Sequence, residues 1–199
     1  MIPQTPTDSP LDNLHIRPAT EADVPGILTI YNDAILHTTA VYDYEPHTLE
    51  MRQSWFAARQ TEGYPILVAV NAAAASAATD DAAAALAATD DAATDNAEIL
   101  GYAALGPFRA WAAYRYTAES SVYVAAPARG RGIGQRLLAP LIEAAKARSL
   151  HTLIAGIDAD NAASLRLHQR FGYAEVGHLR QVGYKFDRWL DLKFLQLLL

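Results

Sequence analysis

The sequence predicts a mixed α/β domain with a seven-stranded central sheet flanked by helices. Two observations predict it. Apolar periodicity alternates between strand and helix spacing in the order β-α-α-β-β-β-α-β-α-β-β. At its centre, the strand-like run Ser121-Val122-Tyr123-Val124 leads through a glycine-rich turn into a helix-like run over 135–147. At 199 residues the chain is long enough for one domain with a real core. No apolar run approaches the roughly 20 residues that span a membrane, and no signal-peptide pattern opens the chain.

Each element has its own punctuation. Residues 15–17 form a short first strand. Thr20, with Asp23 three positions on, resembles a capping box and opens a helix through Val24, Ile27, Leu28, Tyr31 and Ile35. Thr48 caps a second helix, which Gly63 ends. Strand-like runs at 64–70 and 98–105 form a hairpin interrupted by an insert at 71–97, and 117–124 is a central strand. In the helix over 135–147, Leu137, Leu138, Leu141, Ile142 and Ala145 make one apolar face, with a kink expected at Pro140. A strand at 151–157, a helix at 161–171 and two strands at 173–181 and 184–195 complete the order.

The insert is low in complexity, repeating Ala-Ala-Thr-Asp-Asp at 77–81 and 87–91. Thr-Asp-Asp interruptions make better caps than helix interiors, so an expanded, partly helical surface loop is expected. It holds five Asp and no Lys or Arg; of 22 acidic residues, 17 remain elsewhere against 16 basic ones. The rest is near neutral, which indicates neither a nucleic-acid nor a membrane partner. The expected organisation is a disordered tail at 1–13 and a single domain at 14–199 carrying the insert, in a soluble cytoplasmic protein. With 0 Cys there is no disulfide framework, no cysteine-ligated zinc and no thiolate nucleophile. His37 and His47 have no partner at metal-ligand spacing, so no metal is expected.

The run Arg129-Gly130-Arg131-Gly132-Ile133-Gly134 is the most informative stretch. Glycines allow a tight turn and close backbone approach to a ligand. A helix starting directly after them points its free N–H groups and positive dipole end at the same place, an arrangement that suits pyrophosphate. Rossmann spacing would need glycine at 135, where Gln135 stands, and the Gly-Lys-Ser/Thr of a Walker loop is absent. What remains is Arg-x-x-Gly-x-Gly. It resembles the pyrophosphate loop of the GNAT superfamily of acetyl-CoA-dependent N-acetyltransferases.

Asn161, Ser164 and His168 share one helix face at i, i+3 and i+7. Their spacing alone also fits an N-cap, a surface serine and a partly buried histidine. The segment DNAASLRLHQRFGY around them resembles the second cofactor-contacting stretch of the superfamily. Many members have tyrosine where this chain has His168, placed to protonate the departing thiolate. Histidine there is similar to the phosphinothricin acetyltransferase branch, as are GPFRAWAAYRYTAESSVYV and GYKFDRWLDLKF. The resemblance covers 14–70 and 98–195.

That branch implies a mostly antiparallel sheet splayed at the cofactor site and acetyl-CoA bound by residues 129–135, Asn161, Ser164 and the backbone of Val122, Tyr123 and Val124. The N–H of Val124 would face the oxyanion formed from the thioester carbonyl. Glu119, on the central strand, matches the branch's general base; its bland alternative is a solvated or Arg115-paired carboxylate. An ammonium is not nucleophilic until it loses a proton, which a nearby carboxylate can accept. Arg109, Arg115 and Tyr116, between the third and fourth strands, are candidates for gripping an acceptor's carboxylate or phosphinate. Val41 and Tyr42 are candidates for its apolar wall, or else for core.

The expected activity is acetylation of the α-amine of a small amino-acid-like acceptor, of the phosphinothricin, methionine sulfoximine or methionine sulfone type, by a homodimer. A protein N-terminal or polyamine acetyltransferase is the alternative enzyme; an open acidic groove would favour it, a closed pocket with inward arginines the amino acids. A non-catalytic CoA-binding module is the alternative outside catalysis.

Overall fold

A computed structural model describes residues 14–71 and 97–199; the expectations for the tail and for 72–96 fall outside them. Seven strands form one sheet in the order β1-β2-β3-β4-β5-β7-β6. They are β1 (Leu14–Pro18), β2 (Ile66–Asn71), β3 (Ile99–Pro107), β4 (Thr117–Val124), β5 (Thr152–Asp158), β6 (Ala174–Lys185) and β7 (Arg188–Leu198). Every neighbouring pair is antiparallel except β4 and β5, which run parallel. Helices α1 (Val24–His37) and α2 (Leu49–Thr61) join β1 to β2, α3 (Ile133–Ala147) joins β4 to β5, and α4 (Ala162–Arg170) follows β5.

Strand alternation divides the core between the two sheet faces. Val24, Ile27, Ile30 and Phe56 of α1 and α2 pack on Ile66, Val68, Tyr102 and Ala104. Leu137, Leu138 and Leu141 of α3 pack on Leu67, Ala69, Ala103 and Leu153, whose side chains point the other way. The apolar face read for α3 is therefore the buried one. Helix α3 runs unbroken from Ile133 to Ala147 through Pro140.

Capping follows the sequence closely. Thr20 N–H and Oγ1 meet Asp23 Oδ2 at 2.7 and 3.1 Å, and Arg17 grips the same carboxylate at 2.6 and 2.8 Å. Burial pushes the Asp23 carboxyl up, but Arg17 and the Thr20 hydrogen bonds outweigh it and hold it below its ordinary pKa. Thr48 Oγ1 accepts from Met51 N–H at 3.2 Å.

One turn lies elsewhere than the sequence suggests. Strands read at 173–181 and 184–195 put the break at 182–183, yet β6 continues to Lys185 and turns at Phe186 and Asp187, both at positive φ. Gly183 sits under the Tyr42 ring, where a Cβ would come within 2.6 Å of Cδ2. Its glycine provides close approach, and an irregularity between Leu179 and Gly183 absorbs the extra chain.

The hairpin read around the insert is present as β2 and β3. Asn71 N–H donates to Glu98 O at 3.3 Å, so the ends flanking 72–96 already meet. Replacing 72–96 with a short Gly-containing turn is expected to keep the melting temperature near that of the full chain. Each halving of a loop changes closure cost by about 0.6 kcal/mol, in the stabilising direction here. Loss of folding in the shortened chain would show instead that the segment packs on the domain.

Candidate active site

After β4 a 3-10 turn at Ala126–Ala128 leads into the glycine loop. Gly130 and Gly132 have φ of 78° and 79°, and a Cβ built on either meets nothing within 4 Å. They are glycines for backbone conformation, and their open side faces space that a ligand can enter. Gly132 caps α3, so Ile133, Gly134 and Gln135 form the first helical turn, two residues earlier than the sequence suggested. A cavity of about 270 Å³ lies over this turn, bounded by Val122, Val124, Gln135, Asn161, Ser164 and Leu167. Arg129 stands at its edge, donating from Nε to Val124 O at 3.1 Å and pairing with Asp33 at 3.1 Å. Arg131 is exposed on the loop.

Beside the loop the sheet opens. Parallel pairing of β4 with β5 covers only Thr117↔Thr152 to Glu119↔Ile154, although β4 continues to Val124 and β5 to Asp158. Tyr116 O accepts from Thr152 N–H at 3.2 Å, which places the peptide groups of even-numbered β4 residues on that edge. Those of Val122 and Val124 therefore face the opening, while Tyr123 pairs across Tyr102. A narrower cavity of about 90 Å³ fills the gap, lined by Ser121, Val122, Gly156, Asp158, Ser164 and His168.

His168 closes the far side of this gap and is 3% exposed. Its Nδ1 lies 2.9 Å from Ser164 O, so Nδ1–H donates to that carbonyl and the neutral ring carries a lone pair at Nε2. Nε2 is buried without a partner among the described residues. Burial lowers the His168 pKa and the Ser164 bond only partly opposes this, so the ring is neutral at pH 7. Asn161 Oδ1 accepts from Ser164 N–H at 3.1 Å, the cap that starts α4 and fixes Ser164 against the gap.

Glu119, Ser121 and Tyr123 alternate onto the α1/α2 face of β4 and line a cavity of about 330 Å³. Glu119 is exposed to this cavity, yet enough protein surrounds it that burial raises its pKa; the nearby Arg109 and Arg59 charges oppose the rise. Its Oε1 lies 3.6 Å from the Cβ position of Gly156. Besides residues of β3, the wall opposite holds Tyr31, His47, Arg52, Trp55 and Arg59. None of these was among the sequence candidates. The signal available was the i, i+3, i+7 spacing of Arg52, Trp55 and Arg59, which also describes an ordinary solvated helix face.

Of the expected acceptor residues, Arg109 stays close enough to oppose the rise in the Glu119 pKa, while Arg115, Tyr116, Val41 and Tyr42 lie outside the lining of this cavity. Arg109 donates from Nη1 to Phe108 O at 2.7 Å and lies 4.2 Å over the Phe108 ring, acting on Glu119 through its field. Arg115 stacks on Tyr116 at 4.7 Å and both are exposed, outside the cavity. Val41 is buried in a small core cluster. Tyr42 donates to Asp158 Oδ2 and Asp191 O at 3.0 and 3.1 Å, tying the end of β5 to β7. Arg115 and Tyr116 face outward on the β3–β4 connection, which lies outside the paired strands. The loop after α1 is held down by Lys185, whose Nζ donates to Ile35 O, Thr38 O and Val41 O.

Among the described residues no group of three or more His, Asp or Glu could hold a metal. No helix among them is long and apolar enough to cross a membrane.

This arrangement has relatives. The acetyltransferase (GNAT) family model matches residues 37–173. The chain is 47% identical over 182 residues to the L-methionine sulfoximine/L-methionine sulfone acetyltransferase of Pseudomonas paraeruginosa, covering 92% of each protein. An N-acetyltransferase structure from Staphylococcus aureus Mu50 is 45% identical, with a TM-score of 0.79 over 94% of this chain and 99% of that one. A phosphinothricin acetyltransferase from Sinorhizobium meliloti, solved with acetyl-CoA, is 30% identical, with a TM-score of 0.79 over 94% and 89%.

Proposed function

The chain belongs to the acetyltransferase (GNAT) family, and from that membership we propose that it acetylates the α-amine of a small amino-acid-like acceptor with acetyl-CoA. Methionine sulfoximine, methionine sulfone and phosphinothricin are the acceptors that the relatives' names suggest. One observation carries the reading: β4 leaves β5 at Glu119, so a single strand offers free peptide edge on one side and a carboxylate in a cavity on the other. A cavity with arginines turned inward also favours an amino acid over a polyamine or a protein N-terminus.

The cradle fits acetyl-CoA. Gly130 and Gly132 leave open space where side chains would stand, and the first turn of α3 supplies N–H groups and dipole for the pyrophosphate. The β4 edge at Val122 and Val124 supplies peptide groups for the pantetheine arm, beside Asn161 and Ser164. Acetyl-CoA brings the activated thioester; the chain's residues do the rest. Glu119 takes the proton from the acceptor's ammonium, directly or through one water. The Val124 N–H stabilises negative charge at the carbonyl oxygen.

His168 takes a different part from the one the resemblance implies. To protonate the departing thiolate it would have to be cationic, which its burial opposes. Its Nε2 lone pair accepts a hydrogen bond from a proton-bearing group of the bound cofactor, such as a pantetheine amide N–H, since the thioester sulfur and the thiolate carry no proton to give it. A thiol of ordinary pKa near 8.5 leaves readily without help. His168→Phe is expected to lower turnover about tenfold, the loss of one hydrogen bond, without shifting the pH–rate profile. A larger loss with the acidic or basic limb displaced would restore a proton-transfer role.

We also propose a cytoplasmic homodimer. Strand β6 is an edge of the sheet and exposes Val176, Leu179 and Val182, with Trp189 beside it on β7. An apolar edge of this length calls for a cover, which a second copy supplies. Sedimentation equilibrium at micromolar concentration should give a dimer; a monomer there rejects it.

The assay for the activity is release of free CoA thiol from acetyl-CoA across amino acids, their sulfoximines and sulfones, polyamines and peptides. Turnover concentrated on the oxidised amino acids is the expected result. Turnover of polyamines or peptides alone would reject it.

A further inference from the structure

Helix α2 turns an unusual face inward. Arg52, Trp55 and Arg59 share one stripe and all line the cavity that holds Glu119. Arg52 is 3% exposed, and among the described residues no carboxylate pairs with it. Its guanidinium lies 3.7 Å from the Tyr31 ring centroid and 4.6 Å from that of Trp55; Nη2 meets His47 Nδ1 at 3.1 Å. Its Nε is buried with no partner among the described residues. A guanidinium buried without a counter-charge is costly, and an arriving anion or strongly polar oxygen would offset that cost.

Arg59 approaches from the next turns of the same stripe. Its Nη1 pairs with Glu62 at 2.9 Å, leaving Nε and Nη2 lying over β3 at Gly106. A Cβ at Gly106 would come within 2.9 Å of Arg59 Nε, so glycine is what admits the guanidinium there. Gly106 is the register partner of Glu119 across β3 and β4, which brings Arg59 beside the carboxylate. The two arginines are seven positions apart on the helix, roughly 10 Å along the axis. One cation thus stands next to Glu119 and the other in an aromatic cage farther along the same cavity.

We infer that α2 selects the acceptor by two-point contact: Arg59 holds the α-carboxylate, and the caged Arg52 holds the distal oxygens of a sulfoximine, sulfone or phosphinate. This rests on the amino-acid reading above. An ammonium delivered to Glu119 has its carboxylate on the adjoining carbon, on the Arg59 side. The side chain then runs along the cavity towards the guanidinium of Arg52. A plain thioether at that end leaves Arg52 unanswered, and a neutral α-carboxamide wastes the Arg59 charge.

The test compares three acceptors in wild type, R59Q and R52M: methionine sulfone, its α-carboxamide, and methionine. R59Q is expected to raise KM for the sulfone about tenfold or more, and to bring the acid-to-amide ratio of kcat/KM close to one. R52M, which replaces a buried charge with a side chain of similar volume, should keep that ratio and collapse the preference for sulfone over methionine. KM for acetyl-CoA should stay at the wild-type value in both. A purely structural role lowers all three acceptors by one factor and leaves both ratios unchanged, which overturns the assignment; one unmoved ratio removes that arginine from it. R52K covers a failure of R52M to fold: its sulfone preference should fall at least threefold, and a wild-type value overturns the role of Arg52. Wild-type enzyme inactive on all three acceptors, yet active on a polyamine or peptide, would show that the amino-acid reading itself has failed and taken the two-point contact with it.

Discussion

Glu119→Gln is expected to lower turnover by about 10²–10⁴-fold with acetyl-CoA binding retained, the usual reach of a general base. The substitution keeps shape and removes only the ability to accept a proton. The defect should shrink as pH approaches the acceptor's amine pKa, because free amine then forms without a base. The wild-type rate should rise with pH through a Glu119 pKa above the ordinary carboxylate value, and the variant should lack that limb. Stability gives an independent reading. A carboxyl whose folded pKa is raised lends most stability below its unfolded pKa, and loses it as pH rises through the folded value. Above that folded value the ionised Glu119 is a liability, and there the Gln variant should melt no lower than wild type. A pH-independent loss of less than tenfold would remove Glu119 as the base.

Gly134→Val is expected to weaken acetyl-CoA binding at least tenfold, about 1.4 kcal/mol, with the fold retained. Gly134 lies in the first turn of α3, and its Cβ would point at Leu167 Cδ2 at 3.0 Å, with Val122 and Val124 next at 3.8 and 4.0 Å. Those side chains wall the 270 Å³ cavity over the glycine loop. The far end of Leu167 can move aside, so the helix survives while the cavity narrows. Gly132→Ala should fail for another reason, since it meets no atom but sits at positive φ, which costs an alanine about 1–2 kcal/mol. Calorimetry on folded Gly134→Val showing wild-type affinity would remove the cavity as the cofactor's seat.

The motif reads all three glycines alike, whereas the structure separates them. Gly130 and Gly132 serve the backbone, Gly134 serves the space against α4, and only the position of Leu167 reveals the difference. The same contrast runs through the acceptor side. Arg109, Arg115 and Tyr116 are close to Glu119 in sequence and therefore drew attention. The β3–β4 connection carries Arg115 and Tyr116 outward, and Arg109 settles on Phe108. Arg52 and Arg59 are some sixty residues away along the chain and carry no motif. An arginine on a polar helix ordinarily faces water, and nothing local marks these two as exceptions.

The sequence by itself determined what depends on neighbouring residues. The seven strands and their succession along the chain, the caps at Thr48 and Asn161, the tight glycine turn into α3, and the alternation that puts Glu119 opposite Val122 and Val124 are all of this kind. Each rests on backbone conformation or on hydrogen bonds a few residues long, so local spacing is enough. Only the tertiary structure decided where β4 parts from β5, which arginines enter the Glu119 cavity, and that Gly183 passes under Tyr42 instead of turning the chain. Those outcomes depend on contacts between residues far apart in sequence, and they exist only once α2, the sheet and the last hairpin have packed together.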